Sequence, residues 1–366
     1  MPAVRLPALD ALRGLAVALM ILVNTPGSWQ HVYPLLLHAP WHGFTLADWV
    51  FPLFLFAVGS ALALGQQPAS RLDAYHKIAR RTLLLLGIGL MLHAFPFDRS
   101  LAELRLPGVL QRIALCYCVV ALLVQQLSER RLWLVAFLLL PGYWLLLWGF
   151  SADPDLLTAN AVQRLDLWLF GPEHLYAGFG EPFDPEGLLS SLGACSSVLF
   201  GYLFTRHLKQ LPAIEQGRYL WRMAGLFMVL GGLWQFVWPL NKPLWTGSYV
   251  LFSTGLCLLL LRLLTYSLAE PLSRWRHTLL QPLLAFGANP LFIYVLSWLW
   301  AVSAAKLIWL PATTAEGRIS LYDWGFNLLQ LGLPAQAASL VFALLHVALF
   351  AALALWLKQR RIFIKL

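Results

Sequence analysis

The stretch L-L-H-A-P-W-H-G-F-T-L-A-D-W-V-F-P-L-F-L-F-A-V-G-S, residues 36–60, joins a short polar loop to an apolar run. The loop holds His38, Pro40, Trp41, His42 and Gly43, and the run holds one carboxylate, Asp48. An apolar run of this length suits a helix crossing a bilayer. A carboxylate at the mouth of such a helix is costly, and ionisable groups there are functional hypotheses by default. Histidine is the side chain best suited to move a proton near neutral pH. The plainer reading makes His38 and His42 interfacial side chains bonded to headgroups or backbone, and composition alone favours it.

The rest of the chain supplies the setting. Its 366 residues are 60% hydrophobic and 12% charged, with a mean hydropathy of +0.69 and seventeen Trp. A soluble domain carries about a quarter charged residues, so this composition points to an all-α polytopic membrane protein. The alternation of a β-barrel is absent from the sequence. The first apolar segment contains Asp10 and Arg13 and no small-residue cleavage site, which reads as a retained helix.

About ten spans can be drawn, near 9–24, 45–65, 77–95, 107–127, 132–150, 187–208, 219–238, 246–268, 282–305 and 336–357. An even number puts both termini on one side. If that side is the cytoplasm, the inner segments collect Arg5, Arg71, Lys77, Arg80, Arg81, Arg130, Arg131, Arg206, Lys209, Arg218 and Arg222. They also collect Arg262, Arg274, Arg276 and the basic tail with Lys358, Arg360, Arg361 and Lys365. Among the acids they take only Asp73, Glu129, Glu215 and Glu270. The positive-inside rule counts Lys and Arg and favours this orientation. The net charge of +9 is then a topology signal, and no nucleic-acid partner is called for. Loop 25–44, with His38, falls on the extracytoplasmic side.

Cys116, Cys118, Cys195 and Cys257 all lie inside apolar spans, and C-Y-C points its sulfurs to different helix faces. They read as structural thiols; neither a metal site nor a disulfide framework is supported. Asp10 and Arg13 share one helix face and can pair, whether to pin the helix end or to touch substrate. Gly14 allows a close helix neighbour. Asn24 ends the first span, where an amide can orient a histidine, hold a carbonyl oxygen or serve as a C-cap.

These motifs together are specific. L-D-A-L-R-G, then V-N, then H-A-P-W-H-G-F-T-L-A-D-W-V-F-P resembles the opening of the heparan-α-glucosaminide N-acetyltransferase family of transmembrane acyltransferases. That family's pattern is close to D-x-x-R-G, V-N, H-A-x-W-N-G-x-T-x-A-D-x-V-F-P. L-P-G-V-L-Q-R-I (106–113), F-D-P-E-G-L-L-S-S (183–191), W-P-L-N-K-P-L-W-T-G-S-Y-V (238–250) and G-A-N-P-L-F-I-Y-V (287–295) agree in order and position. The resemblance implies a ten- or eleven-helix enzyme moving acetyl from acetyl-CoA to an amino sugar, with His38 and Asn24 as its reactive centre. Two departures bear on the acceptor: His42 stands where the motif has Asn, and the loop from Asn24 to His38 has its own composition. The large lumenal N-terminal domain of the lysosomal enzyme is missing, which implies a bacterial, core-only member in the inner membrane.

In that light, Arg71, Lys77, Arg80 and Arg81 suit the phosphates of CoA, although ordinary topology explains each one singly. Gln111 and Arg112 enter the membrane and need partners; Arg112 could clamp donor or acceptor, or pair with Asp48. Loop 151–186, acidic and bearing Trp168, Tyr176 and Phe179, suits a cationic sugar amine. Asp184, Pro185 and Glu186 read as a helix start with Asp184 the N-cap. Lys242, in an outer hairpin, could neutralise an acid of the long loop. Asn289 with Pro290 breaks the ninth span, and broken helices at membrane depth line cavities. Loop 306–334 shows no motif.

His38 would act as general base, or would carry the acetyl group transiently. Partners are acetyl-CoA, an amino-sugar acceptor and the bilayer, with a homodimer compatible and no metal required. Two alternatives remain. One is an O-acyltransferase of the acyltransferase-3 type, whose key histidine typically ends the first span where this chain has Asn24. The other is a non-catalytic sugar permease, which gives no reason for acetyl-CoA dependence.

Overall fold

Thirteen α-helices occur among the described residues of this computed structural model, which are 6–65, 70–98, 100–158, 160–269, 274–312 and 317–364. They are α1 (Pro7–Asn24), α2 (Leu46–Leu64), α3 (Arg71–Ala94), α4 (Val109–Gln126), α5 (Glu129–Phe150), α6 (Ala161–Phe170) and α7 (Ser191–Leu208). The second half adds α8 (Ala213–Trp234), α9 (Gly247–Ser267), α10 (Arg274–Phe286), α11 (Pro290–Lys306), α12 (Leu321–Gln330) and α13 (Ala335–Gln359). A small antiparallel hairpin, β1 (Trp309–Pro311) and β2 (Arg318–Ser320), precedes α12. Arg5, Glu270 and Lys365, used in the orientation argument, lie outside the described residues.

Every drawn span overlaps a helix, but fewer are apolar enough to cross a membrane. Among the described residues six meet that standard: α1, α2, α4, α5, α9 and α13. A seventh follows if Thr278–Phe286 and Pro290–Lys306, bent by 85° at their junction, count as one broken span. The shortfall from ten has a physical cause. Helix α3 opens with Arg71, Asp73, Lys77, Arg80 and Arg81, and α8 carries Glu215, Arg218 and Arg222. Helix α7 carries Ser191, Ser196, Ser197 and Thr205, all buried against other helices. A helix wrapped by protein need not be apolar, because its neighbours, not lipid, surround its polar groups. These apolar helices make the chain an integral membrane protein.

The core gathers around α2 and α7. A Cβ on Gly59 would come within 1.9 Å of the Val198 carbonyl oxygen, and one on Gly201 within 2.1 Å of the Phe56 carbonyl oxygen. The two backbones therefore touch, as small residues permit between membrane helices. Gly14 of α1 and Gly287 beyond α10 do the same: Cβ atoms there would lie 1.8 Å from Leu283 O and 1.9 Å from Asp10 O.

Three sequence expectations change. Loop 151–186 contains the helix α6, and 306–334 contains the hairpin and α12, an amphipathic helix whose one buried residue is Phe326. Short elements of ten residues or fewer leave little periodicity to read. Asp184 does not cap α7, which begins at Ser191. Its Oδ1 instead accepts the Glu186 N–H at 3.0 Å, closing a turn ahead of the helix. The break after α10 falls where expected, and Asn289 there is fully buried.

Candidate active site

Helix α2 sets the centre. Thr45 is its N-cap: the Asp48 N–H donates to Thr45 Oγ1 at 3.3 Å, and Asp48 Oδ2 accepts the Thr45 N–H at 3.1 Å. This reciprocal capping box leaves Asp48 Oδ1 facing the loop, where it lies 2.8 Å from His38 Nδ1. Asp48 Oδ2 also accepts the Ala39 N–H at 3.1 Å. The Asp48 side chain is 1% exposed and that of His38 is 50% exposed. A carboxylate at Nδ1 fixes the imidazole with its proton there and its Nε2 lone pair free.

The loop is held from 200 residues away. Asn241 Nδ2 donates to the Trp41 carbonyl at 3.0 Å and lies 3.3 Å from His42 Nδ1, while the Gly43 N–H reaches Leu240 O at 2.8 Å. Trp41 Nε1 donates to Asp155 O at 2.6 Å, and its ring meets Phe179 and Phe183 edge-on. Tyr249 donates its hydroxyl to the Asp48 carbonyl at 2.6 Å. Next to Asn241, Lys242 brings its Nζ to 3.3 Å from His38 Nε2 and 3.5 Å from Nδ1.

Behind this lies a charged cluster. Arg105 binds Asp184 through two nitrogens, at 2.8 and 2.7 Å, and Glu186 at 2.6 Å, and its guanidinium stacks on Tyr176. Burial opposes ionisation of Glu186, but Arg105, Lys242 and Arg112 together hold its carboxyl below the usual range. Burial pulls the Lys242 ammonium below the usual lysine range, against Glu186 and Asp48. Asp166 bonds the Leu188 N–H through Oδ1 at 2.9 Å. Burial pushes its carboxyl up to about 7.

Arg112 is 1% exposed and does not pair with Asp48. It donates to the Gly187 carbonyl at 2.8 Å and to Ser190 Oγ, and it faces the Trp245 ring. Its Nε and Nη1 have no partner among the described residues.

Comparison with known proteins places this geometry in context. The family model described as heparan-alpha-glucosaminide N-acetyltransferase, catalytic, matches residues 5–165, the part with Asn24, His38, Asp48, Gln111 and Arg112. This chain is similar to the heparan-α-glucosaminide N-acetyltransferases. The human and mouse proteins of that name are each 28% identical to it, over 80% of the chain and 52% and 53% of their own lengths. The chain thus spans about half the length of the curated relatives it matches. The resemblance read from the motifs is borne out.

Among the described residues, none of Asp10, Arg13, Asn24, Gln111, Arg112 and Asn289 of this N-acetyltransferase-like chain is hydrogen-bonded to His38 or Asp48. Asn24 is exposed at the end of α1, and no hydrogen bond joins its side chain to His38 or to any other described residue. Gln111 Nε2 lies 3.4 Å from His93 Nδ1, and its Oε1 is buried without a partner among the described residues. Asp10 and Arg13 pair with each other. Asn289 is engaged by the C-terminal segment: it donates to Ile362 O at 2.9 Å and accepts the Ile364 N–H at 2.7 Å.

At the opposite end of α2 lies a cavity of about 430 Å³ bordered by Lys77, Arg81, Gln125, Arg206, Lys209 and Gln210. Lys77 and Arg81, four apart on α3, share one face. Arg81 stacks on Tyr117 at 4.6 Å, Arg206 bonds the Tyr202 hydroxyl at 2.8 Å, and Lys209 donates to Ala63 O at 3.3 Å. Arg71 and Arg80 are exposed and do not border it. A narrower cleft of about 70 Å³ shares Ala61 and Arg81 with the cavity and continues between Phe54, Ala57, Leu110 and Ile113. Sequence reasoning missed Arg206, Lys209 and Lys242 as site residues, because the cavity and the His38 loop that they face are built from segments far away in the chain. Among the described residues no cluster of His, Cys, Asp and Glu is arranged to hold a metal, and Cys116, Cys118, Cys195 and Cys257 are free thiols.

Proposed function

We propose that the chain is a transmembrane acetyltransferase that moves an acetyl group from cytoplasmic acetyl-CoA to the amine of an amino sugar on the other side of the bacterial inner membrane. The observation that carries this reading is the His38–Asp48 pair, oriented as a base and lying within the region matched by the catalytic family model. The cations bordering the large cavity support the donor half, since Arg and Lys side chains recognise phosphates through charge and hydrogen bonds.

Helix α2 is 19 residues long, roughly 28 Å at 1.5 Å per residue. The cavity reaches its last turns, and the narrow cleft continues along it to Phe54. From Phe54 to Asp48 is about 9 Å of helix rise. Only the acetyl-pantetheine arm would follow that path, because the charged nucleotide has no reason to leave the basic mouth. His38 would accept a proton from the attacking amine and pass it to the departing thiol. Asp48 would hold the ring and balance the imidazolium, as a carboxylate does in a catalytic triad. Asn24, exposed and unbonded, would offer its amide to a ligand.

Incubating the purified chain with acetyl-CoA and glucosamine tests the reading, with N-acetylglucosamine detected by mass spectrometry. Acetyl found on a sugar hydroxyl would favour the O-acyltransferase alternative. Failure to bind CoA at all would favour the permease.

A further inference from the structure

We propose that Lys242 is the electrophilic partner of His38, its ammonium holding the acetyl carbonyl oxygen as negative charge builds there during transfer. The proposal rests on the acetyl-transfer reading above and names a residue that lies outside the matched catalytic region, residues 5–165.

The position of Nζ is what points to this role. It lies 3.3 Å from Nε2 and 3.5 Å from Nδ1, so it sits over the face of the ring near its two nitrogens. A donor on the Nε2 lone-pair axis would lie much farther from Nδ1. Nζ therefore leaves that axis open for an incoming amine. An acceptor nitrogen bonded to Nε2 places the carbonyl carbon it attacks just beyond, with the carbonyl oxygen in reach of Nζ. A point near both base and electrostatic donor is the arrangement acyl transfer needs.

The turn that carries Lys242 is also held in place. The Lys242 carbonyl accepts the Trp245 N–H at 3.0 Å, and Asn241 Oδ1 accepts the Leu244 N–H at 2.7 Å. Trp245, fully buried, turns the backbone through φ 53°, and its Nε1 donates to Ser197 at 3.2 Å. A donor fixed on such a turn needs no reorganisation when charge develops. Asp48 and Glu186 keep the ammonium in a field of carboxylates, while Arg105 and Arg112 press against it.

The electron and proton count closes. The amine lone pair forms the C–N bond, and the carbonyl pair moves to the oxygen that Lys242 bonds without giving up its proton. The pair then returns and the C–S bond breaks. The proton taken by His38 Nε2 from the amine goes to the thiolate. One thioester and one amine yield one amide and one thiol.

Lys242→Met and Lys242→Arg test the proposal, each first confirmed as monodisperse in detergent. Lys242→Met should lower kcat by about 10²–10³, with a far smaller change in the KM for acetyl-CoA. In the wild type, kcat should fall at alkaline pH as Lys242 loses its proton, below the ordinary 10.5 because of burial. The groups facing Lys242 are His38, Asp48, Glu186, Arg105 and Arg112. In Lys242→Arg part of the rate should return and the alkaline fall should move up, since a guanidinium stays charged up to about pH 12. A Lys242→Met rate within tenfold of wild type overturns the proposal. So does a folded Lys242→Arg whose alkaline limb is unmoved. An inactive wild type would instead remove the transfer reading on which both stand.

Discussion

His38 and Asp48 hold their positions through two different interactions, and a pair of variants separates them. His38→Ala should abolish acetyl transfer while leaving a folded, membrane-inserted protein; near-normal turnover in it ends the assignment. Asp48→Asn can still accept the Thr45 N–H through its amide oxygen and so keeps the start of α2. It cannot hold the same imidazole tautomer, and kcat should fall by about 10²–10⁴. If Asp48→Asn retained full rate, the carboxylate would be only a cap. At this scale the sequence was informative where chemistry is local. His38 and Asp48 lie within eleven residues of one another, and the sequence marked both as candidates, a loop histidine and an acid at the mouth of a helix, but not the Thr45 cap beside them. Lys242 was legible only as a charge, because its neighbour His38 is 204 residues away. Arg112 was visible as a buried cation, yet its partners proved to be a carbonyl, a hydroxyl and an indole face.

Between elements, backbone contact and buried charge set the tolerances. Gly59→Val should weaken the fold by roughly 1–3 kcal/mol or more, because the added carbon meets the Val198 carbonyl, a backbone atom that cannot rotate away. Thermal unfolding in detergent reads this directly, and an unchanged Tm would mean that α2 and α7 separate at no cost. Asp166, on α6, gives a pH dependence of defined sign. Its carboxyl titrates at about 7 in the folded protein against an ordinary 3.8. Between those values the folded state holds the extra proton, so stability falls as pH rises from about 4 to 7 and then levels off. Asp166→Asn has no proton to lose and should flatten that slope; a Tm profile identical to wild type would dismiss Asp166 as its source. Helix α6 itself was hidden inside what reads as an acidic loop, since ten residues with Arg164, Asp166 and Trp168 carry too little apolar pattern to announce a helix.

For the molecule as a whole, the two ends of α2 carry different duties. The cavity cations should bind donor, so neutralising Lys77, Arg81 and Lys209 together should raise the KM for acetyl-CoA far more than it lowers kcat. Neutralising Arg71 and Arg80, exposed and outside the cavity, should do neither. Equal effects from the two sets would leave the cations with topology alone. Sidedness has its own measurement: a single cysteine at Ser28, in a variant lacking Cys116, Cys118, Cys195 and Cys257, should react with an impermeant reagent applied outside. Reaction only after permeabilisation would invert the orientation. Helical class and approximate helix positions were readable because apolar runs repeat along the chain. The number of crossings was not, because polar helices such as α7 satisfy themselves against protein and their sequences do not say so.

The clasp between the His38 loop and the turn at 239–246 also has a consequence in time. The ribosome finishes His38 long before Lys242, and 204 residues separate them. At about 5–20 residues per second that interval is on the order of 10–40 s. Throughout it, the nascent chain carries a complete loop, cap and acid with nothing opposite the imidazole. A premature stop between 166 and 241 would release a membrane-embedded fragment with the whole matched region, residues 5–165, and no second half to its centre. Such a fragment should show little or no acetyl transfer.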